Sequence, residues 1–337
     1  MPILQEQTLR LEHCPNLKTF ITKPVSSSLM GSKEPNEMNP EEGSHAFMQP
    51  LFNEELSSMD VEETQYNEHG ARIGCRLTNL QAMSWFQNLS FLEVEGSGNT
   101  KHLLSFSTAK AMVYLKHLHI LECKCLEEVL VSKELGEGRP NFFPQLECLF
   151  LKDLPILKRF YEGSNIEFPC LKKLQLKNCP KLKTFITKSV SSCLTGNKEP
   201  NEMNAKEGSN AVMQPLFNEE IGFPSLERLR IALLDDLKII WENQVAADSF
   251  CNLKSIFVKS CKNLRNIFSA LVARFLLQLE ELRIVNCGVE ELVAGEGGAE
   301  GIARFVFPQV TILHLISLPR LKWFYPGVHS SKWPKLK

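Results

Sequence analysis

An excess of charge of either sign is missing from this 337-residue chain. Its 38 lysines and arginines face 39 aspartates and glutamates, a formal net charge of −1. That balance argues against a polycationic nucleic-acid binder and against an acidic unstructured tail. Long hydrophobic runs are missing too. No stretch approaches the roughly 18 apolar residues that a membrane-crossing helix needs. The first ten residues, Met1 to Arg10, are polar and hold no apolar core of the kind that marks a secretory signal. With no such signal, the eleven cysteines read as free thiols in a reducing compartment, and the chain as cytoplasmic. The sequon Asn88-Leu89-Ser90 is then idle.

Catalytic signatures are equally scarce. Gly96-Ser97-Gly98-Asn99-Thr100-Lys101 lacks the second glycine beside the lysine, and the hydroxyl residue after it, that a phosphate loop uses. Gly295 to Gly301 carries Glu300 where the dinucleotide fingerprint has its third glycine. No nucleophile elbow, zinc-protease helix or carboxylate pair stands out. The chain is therefore read as non-enzymatic, with no cofactor.

What is present is a repeat. Nine short segments place two aliphatic residues around one free position, beginning at Leu9, Leu92, Leu118, Leu149, Leu174, Leu229, Ile256, Leu282 and Leu313. Most gaps between these starts are 25 to 31 residues, with two longer ones of 83 and 55. That is the leucine-rich-repeat period, too short for a strand, full helix and strand. Phe143-Pro144, Phe168-Pro169, Phe223-Pro224 and Phe307-Pro308 each stand five residues ahead of a strand leucine, where proline sets the entry and withholds nothing from a ladder. Segments such as Leu154-Pro155-Ile156-Leu157-Lys158-Arg159-Phe160 and Leu318-Pro319-Arg320-Leu321-Lys322-Trp323-Phe324 follow the strands.

A longer period lies over the short one. Lys33-Glu34-Pro35-Asn36-Glu37-Met38-Asn39 recurs as Lys198-Glu199-Pro200-Asn201-Glu202-Met203-Asn204, and strand starts recur at offsets of 164 or 165. The chain thus reads as one solenoid of two tandem blocks, 9–171 and 174–336. It stops inside a repeat whose strand has not begun, and is expected to be a fragment of a longer receptor or a truncated paralogue. Where the second block has Phe223 to Ile231, the first has the polar stretch Ser57 to Gly74, which is expected to have lost its strand. Segments 24–50, 57–74 and 189–215 read as mobile loops.

A two-leucine strand has one apolar face and cannot stand alone. Copies stacked in parallel put every such face into one core, each buried side chain contributing about 1.5 to 3 kcal/mol. The expected fold is an α/β leucine-rich-repeat horseshoe, with a parallel concave sheet and irregular or short-helical convex segments. Phe106 to Leu115 and Ala270 to Leu279 carry apolar residues at helical spacing. Cys14, Cys123, Cys179, Cys261 and Cys287 recur at the bend after the strand and are expected inside.

His117-Leu118-His119 with Cys123-Lys124-Cys125 is the best metal candidate by residue type. Cys123 belongs to the inward repeat position while the histidines point outward, so no metal is assigned to them. The outward positions form a concave strip: His117, His119, Phe150, Lys152, Lys173, Gln175, Lys177, Arg228, Arg230, Phe257, Lys259, Arg283 and His314, joined by Arg10, Glu12 and Glu93. Bases outnumber acids there, and two aromatics are presented outward, the residue types that supply most interface energy. A protein partner is expected on this strip.

Units such as Phe168-Pro169-Cys170-Leu171-Lys172-Lys173-Leu174-Gln175-Leu176-Lys177-Asn178-Cys179-Pro180-Lys181-Leu182 resemble the leucine-rich-repeat region of plant coiled-coil nucleotide-binding disease-resistance proteins. The resemblance implies a role in plant defence. The repeats would sense pathogen effectors or guarded host proteins and regulate a nucleotide-binding switch in the parent receptor. No nucleotide-binding domain lies in these residues. An adaptor of another pathway, such as a ubiquitin-ligase substrate scaffold, is the alternative.

Overall fold

The computed structural model describes residues 7–11, 87–97, 99–131, 142–163, 165–187, 214–245, 248–295 and 302–336. Segments 24–50 and 57–74, and residues 189–213 of the third expected loop, lie outside the described residues, as do Cys14 and Glu12.

Numbered in chain order, nine strands form one sheet: β1 (Gln7–Leu11), β2 (Leu89–Glu95), β4 (His117–Leu121), β6 (Cys148–Lys152), β9 (Lys173–Lys177), β12 (Arg228–Ala232), β13 (Ser255–Lys259), β15 (Glu281–Val285) and β18 (Ile312–Ile316). They neighbour one another in that order, and every pairing is parallel. These are the nine segments expected from the repeat, and their first aliphatics pair in register from Leu9↔Leu92 to Leu282↔Leu313. The fold is a leucine-rich-repeat solenoid. β1 pairs directly with β2, whereas β9 and β13 are separated by β12.

The alternation within each strand decides which face is core. From Leu92/Val94 to Leu282/Ile284 both aliphatics of every strand are buried. β18 departs from this: among the described residues its only neighbour in the sheet is β15, and Leu315 and Ile316 are exposed. Stability in such a stack is a sum over units and nearest-neighbour contacts, so a strand with one neighbour buries less.

The chain leaves each strand by the same turn. Glu122, Asp153, Asn178, Leu233, Ser260, Asn286 and Ser317 all have positive φ between 54° and 57°, and Gly96 has φ 67°. This turn aims the N–H outward along the stack. Glu122 donates to the Lys152 carbonyl (3.0 Å), Asp153 to Lys177 (2.9 Å) and Asn178 to Ala232 (2.9 Å). Where the bend residue is Asn, its side chain adds a rung: Asn178 Nδ2 donates to Asp153 Oδ1 (2.7 Å). One residue on, Cys123, Cys179, Cys261 and Cys287 are buried. Their thiols donate to carbonyls of their own strands, as Cys123 does to Leu121 (3.3 Å).

Across the core, where irregular or short-helical segments are expected, short parallel strands join the two short helices. β3 (His102–Ser105), β5 (Glu128–Val131), β7 (Arg159–Glu162) and β10 (Ile186–Thr187) form a second sheet. β8 (Ile166–Glu167) pairs with β11 (Ile221–Gly222), β14 (Asn266–Phe268) with β16 (Glu291–Val293), and β17 (Ala303–Val306) with β19 (His329–Lys332). Between the layers runs a column of rings. Phe160 stacks on Phe185 at 4.8 Å between centroids, and Phe168 on Phe223 at 5.6 Å. The two expected helices are present but shorter, α1 (Phe106–Ala111) and α2 (Ala270–Phe275). Ser105 and Ser269 cap them by accepting from the N–H groups of Thr108 and Val272. Each helix ends early because the chain must turn, through Leu115 and Leu279, into the next strand of the main sheet.

Candidate protein-recognition surface

Parallel sheets are ordinarily covered on both faces. Here one face of the nine-stranded sheet packs on the leucine core, and the other carries the alternate residues of each strand. Register sorts those residues into three rows that cross the strands. The central row runs Glu93, His119, Phe150, Gln175, Arg230, Phe257, Arg283, His314. The row before it runs Phe91, His117, Cys148, Lys173, Arg228, Ser255, Glu281, Ile312. The row after it includes Lys152, Lys177 and Lys259.

All thirteen residues assigned to the strip from the sequence lie in these rows. Lys173, Arg228, Arg230, Lys259 and His314 are exposed, and the other eight are half-buried. Arg10 pairs with Glu93 in the backbone register. The sequence reading passed over Phe91, Cys148 and Ser255, which stand at the same motif position as Lys173 and Arg228. Their signal was that position, one residue before the first strand aliphatic.

Local contacts divide the strip. At the β4 end His119 Nδ1 lies 3.3 Å from Glu93 Oε2, and its ring meets Phe150 edge-on at 5.7 Å. At the β6 end of the third row, Lys152 bridges Asp153 (3.1 Å) and Glu122 (3.7 Å), so its charge is spent locally. In the middle, Lys173, Gln175, Arg228, Arg230, Lys254, Ser255, Glu280 and Glu281 line a depression of about 380 Å³. Arg283 pairs with Glu281 of its own strand, and Ser255 Oγ donates to Glu281 (3.0 Å). Lys254 pairs with Glu227 (3.2 Å). Lys173, Arg228 and Arg230 form no ion pair among the described residues. The depression therefore presents three cations outside any ion pair, together with Glu280 and Glu281, and Arg230 among them lies over the ring of Phe257.

A model of the leucine-rich repeats of RPS2-like plant disease resistance proteins matches residues 58–197 and 201–288, more than half of the chain. The chain belongs to this family. No curated protein and no solved structure matches it. The matched region of this RPS2-like chain takes in β2 to β15 and hence the whole depression. Among the described residues, no helix is long and apolar enough to cross a membrane.

Proposed function

We propose that this RPS2-like repeat region is a non-enzymatic protein-recognition module of plant innate immunity. Its strip engages a pathogen effector, a guarded host protein or the nucleotide-binding domain of the parent receptor, and engagement there regulates the nucleotide switch. The partner surface is acidic, with an apolar residue to meet Phe257. The observation that carries this reading is the depression around Lys173, Arg228 and Arg230, where cations without carboxylate partners sit beside an outward aromatic. Buried arginine and aromatic contacts dominate interface energies, and complementary charge sets the rate and specificity of association.

The test is binding of the full chain to the separately expressed nucleotide-binding domain of an RPS2-like resistance protein. Reversing Arg228, Arg230 and Arg283 to Glu is expected to weaken binding by about tenfold or more. An affinity unchanged by the three reversals would remove the strip from the account.

A further inference from the structure

Two strands of the main sheet bring three metal-ligating side chains together at a place the repeat does not require. His117 and His119 are on β4, and Cys148 is the first residue of β6, directly opposite His117 in the register. Their ligand atoms, one imidazole nitrogen from each histidine and the sulfur, lie within 4.8 Å of one another. Cys148 Sγ is already 3.9 Å from His119 Nε2, close to the spacing of about 3.5 Å that two ligands of one tetrahedral zinc adopt. The other nitrogen of His119 faces Glu93, 3.3 Å away. A carboxylate on the far nitrogen of a histidine fixes its orientation and leaves the near nitrogen as a lone-pair donor. Phe91, 5.0 Å from the His119 ring, and Phe150 wall the group on either side.

Packing does not account for the cluster. The same three positions one block later hold Glu281, Arg283 and Ile312, and the position of Glu93 holds Phe257. Along its own row, Cys148 replaces what is elsewhere Lys173, Arg228 or Ser255. The recurrent inward cysteines are a separate set: Cys123, the thiol next to the histidines in sequence, is buried in the core and donates to strand carbonyls.

We propose that His117, His119 and Cys148 form a binding site for a borderline-soft divalent cation of the zinc class on the concave face, with Glu93 holding His119 in its ligating orientation. Two imidazoles and a thiolate with the fourth position open is a zinc-type donor set. The Cys148 thiol gives its proton to solvent as the sulfur–metal bond forms, and the fourth position is taken by water. Binding at this donor set therefore releases one proton, from the Cys148 thiol.

The test uses the full chain, stripped with a chelator and titrated with Co²⁺. The native protein is expected to develop a thiolate-to-cobalt charge-transfer band with the intense visible bands of four-coordinate cobalt, and Zn²⁺ should bleach both. Because the chain has other free cysteines, the decisive reading is the difference from variants. Cys148→Ser and His119→Gln should each lose one equivalent of bound cobalt, while substitution of the exposed Cys170 by Ser should lose none. Glu93→Gln should keep the bands and weaken cobalt affinity by about 10 to 100-fold, as removal of an orienting carboxylate does. Far-ultraviolet circular dichroism of each variant identifies any that fails to fold. In that event the transplant of Glu281→His, Arg283→His and Ile312→Cys into the second block decides instead, by gaining one equivalent. A folded Cys148→Ser protein with the native stoichiometry and bands, a native protein without them, or a transplant that gains nothing would overturn the site.

Discussion

The guanidinium of Arg230 lies over the ring of Phe257, 5.8 Å from its centroid, across two strands that pair residue for residue. The ring does more than fill space. It limits the positions open to a long exposed side chain, so Arg230 loses less conformational freedom when a partner carboxylate arrives. Phe257→Ala is therefore expected to weaken partner binding by about fivefold to thirtyfold, the equivalent of roughly 1 to 2 kcal/mol, without lowering the melting temperature appreciably. Binding by calorimetry beside a thermal melt checks both halves. A loss of stability with unchanged affinity would make Phe257 a packing residue only.

Leu233 is the one branched aliphatic residue among the positive-φ bend positions, and it is exposed. A leucine held in the left-handed region costs about 1 to 2 kcal/mol that Asn largely avoids. Leu233→Asn is expected to stabilise the fold by about 1 kcal/mol, and a denaturant titration measures it. Asn there could also donate back along the stack, as Asn178 does to Asp153.

The ring column is the mechanical centre of the stack. Phe185 meets Phe160 and Phe168 from the stretch before it and Phe217 and Phe223 from the stretch after it. Phe185→Ala should cost about 3 to 5 kcal/mol. Because stability propagates through neighbours, the unfolding transition should also broaden or split. Calorimetry that shows one unshifted transition would contradict the column's role.

The bend thiols give an alkaline prediction. Burial raises Cys123 from an ordinary value of 9.0 to about 11 and Cys179 to about 12. The folded state therefore holds these protons at pH values where the unfolded chain has released them. Unfolding then releases protons, and stability falls as pH climbs from about 9 toward 11 and 12. Replacing Cys123 and Cys179 by Ala should flatten that fall in a series of melts. At neutral pH an alkylating reagent should modify the exposed Cys170 and spare both bend thiols.

The main sheet was legible in the sequence because each strand is bracketed twice. Its aliphatics flank one free position, and a marker stands at a fixed distance, a Phe-Pro pair ahead as at Phe168-Pro169 or a cysteine after as at Cys179. The opposite layer was not. β7 covers Arg159–Glu162 and β10 only Ile186–Thr187, too short to show an alternation, and they form because neighbouring repeats hold them in line. The helices were found by their spacing but overextended, since apolar residues such as Leu115 serve the next strand entry and the helix alike. The strip followed from alternation, residue by residue. The meeting of Cys148 with His117 did not, because a register between strands about 30 residues apart is a property of the assembled sheet, and the cysteines that recur with the repeat, such as Cys123 and Cys179, mark the interior.

The most direct measurement is a lysine-labelling footprint of the complex with an RPS2-like nucleotide-binding domain. Acylation read by mass spectrometry should be suppressed at Lys173, Lys177 and Lys259 on the strip, and unchanged at Lys158 and Lys322, exposed side chains that follow the strands and pair with Glu127 and Glu290. Suppression at Lys158 and Lys322, with Lys173, Lys177 and Lys259 still reactive, would place recognition on another face and contradict the account.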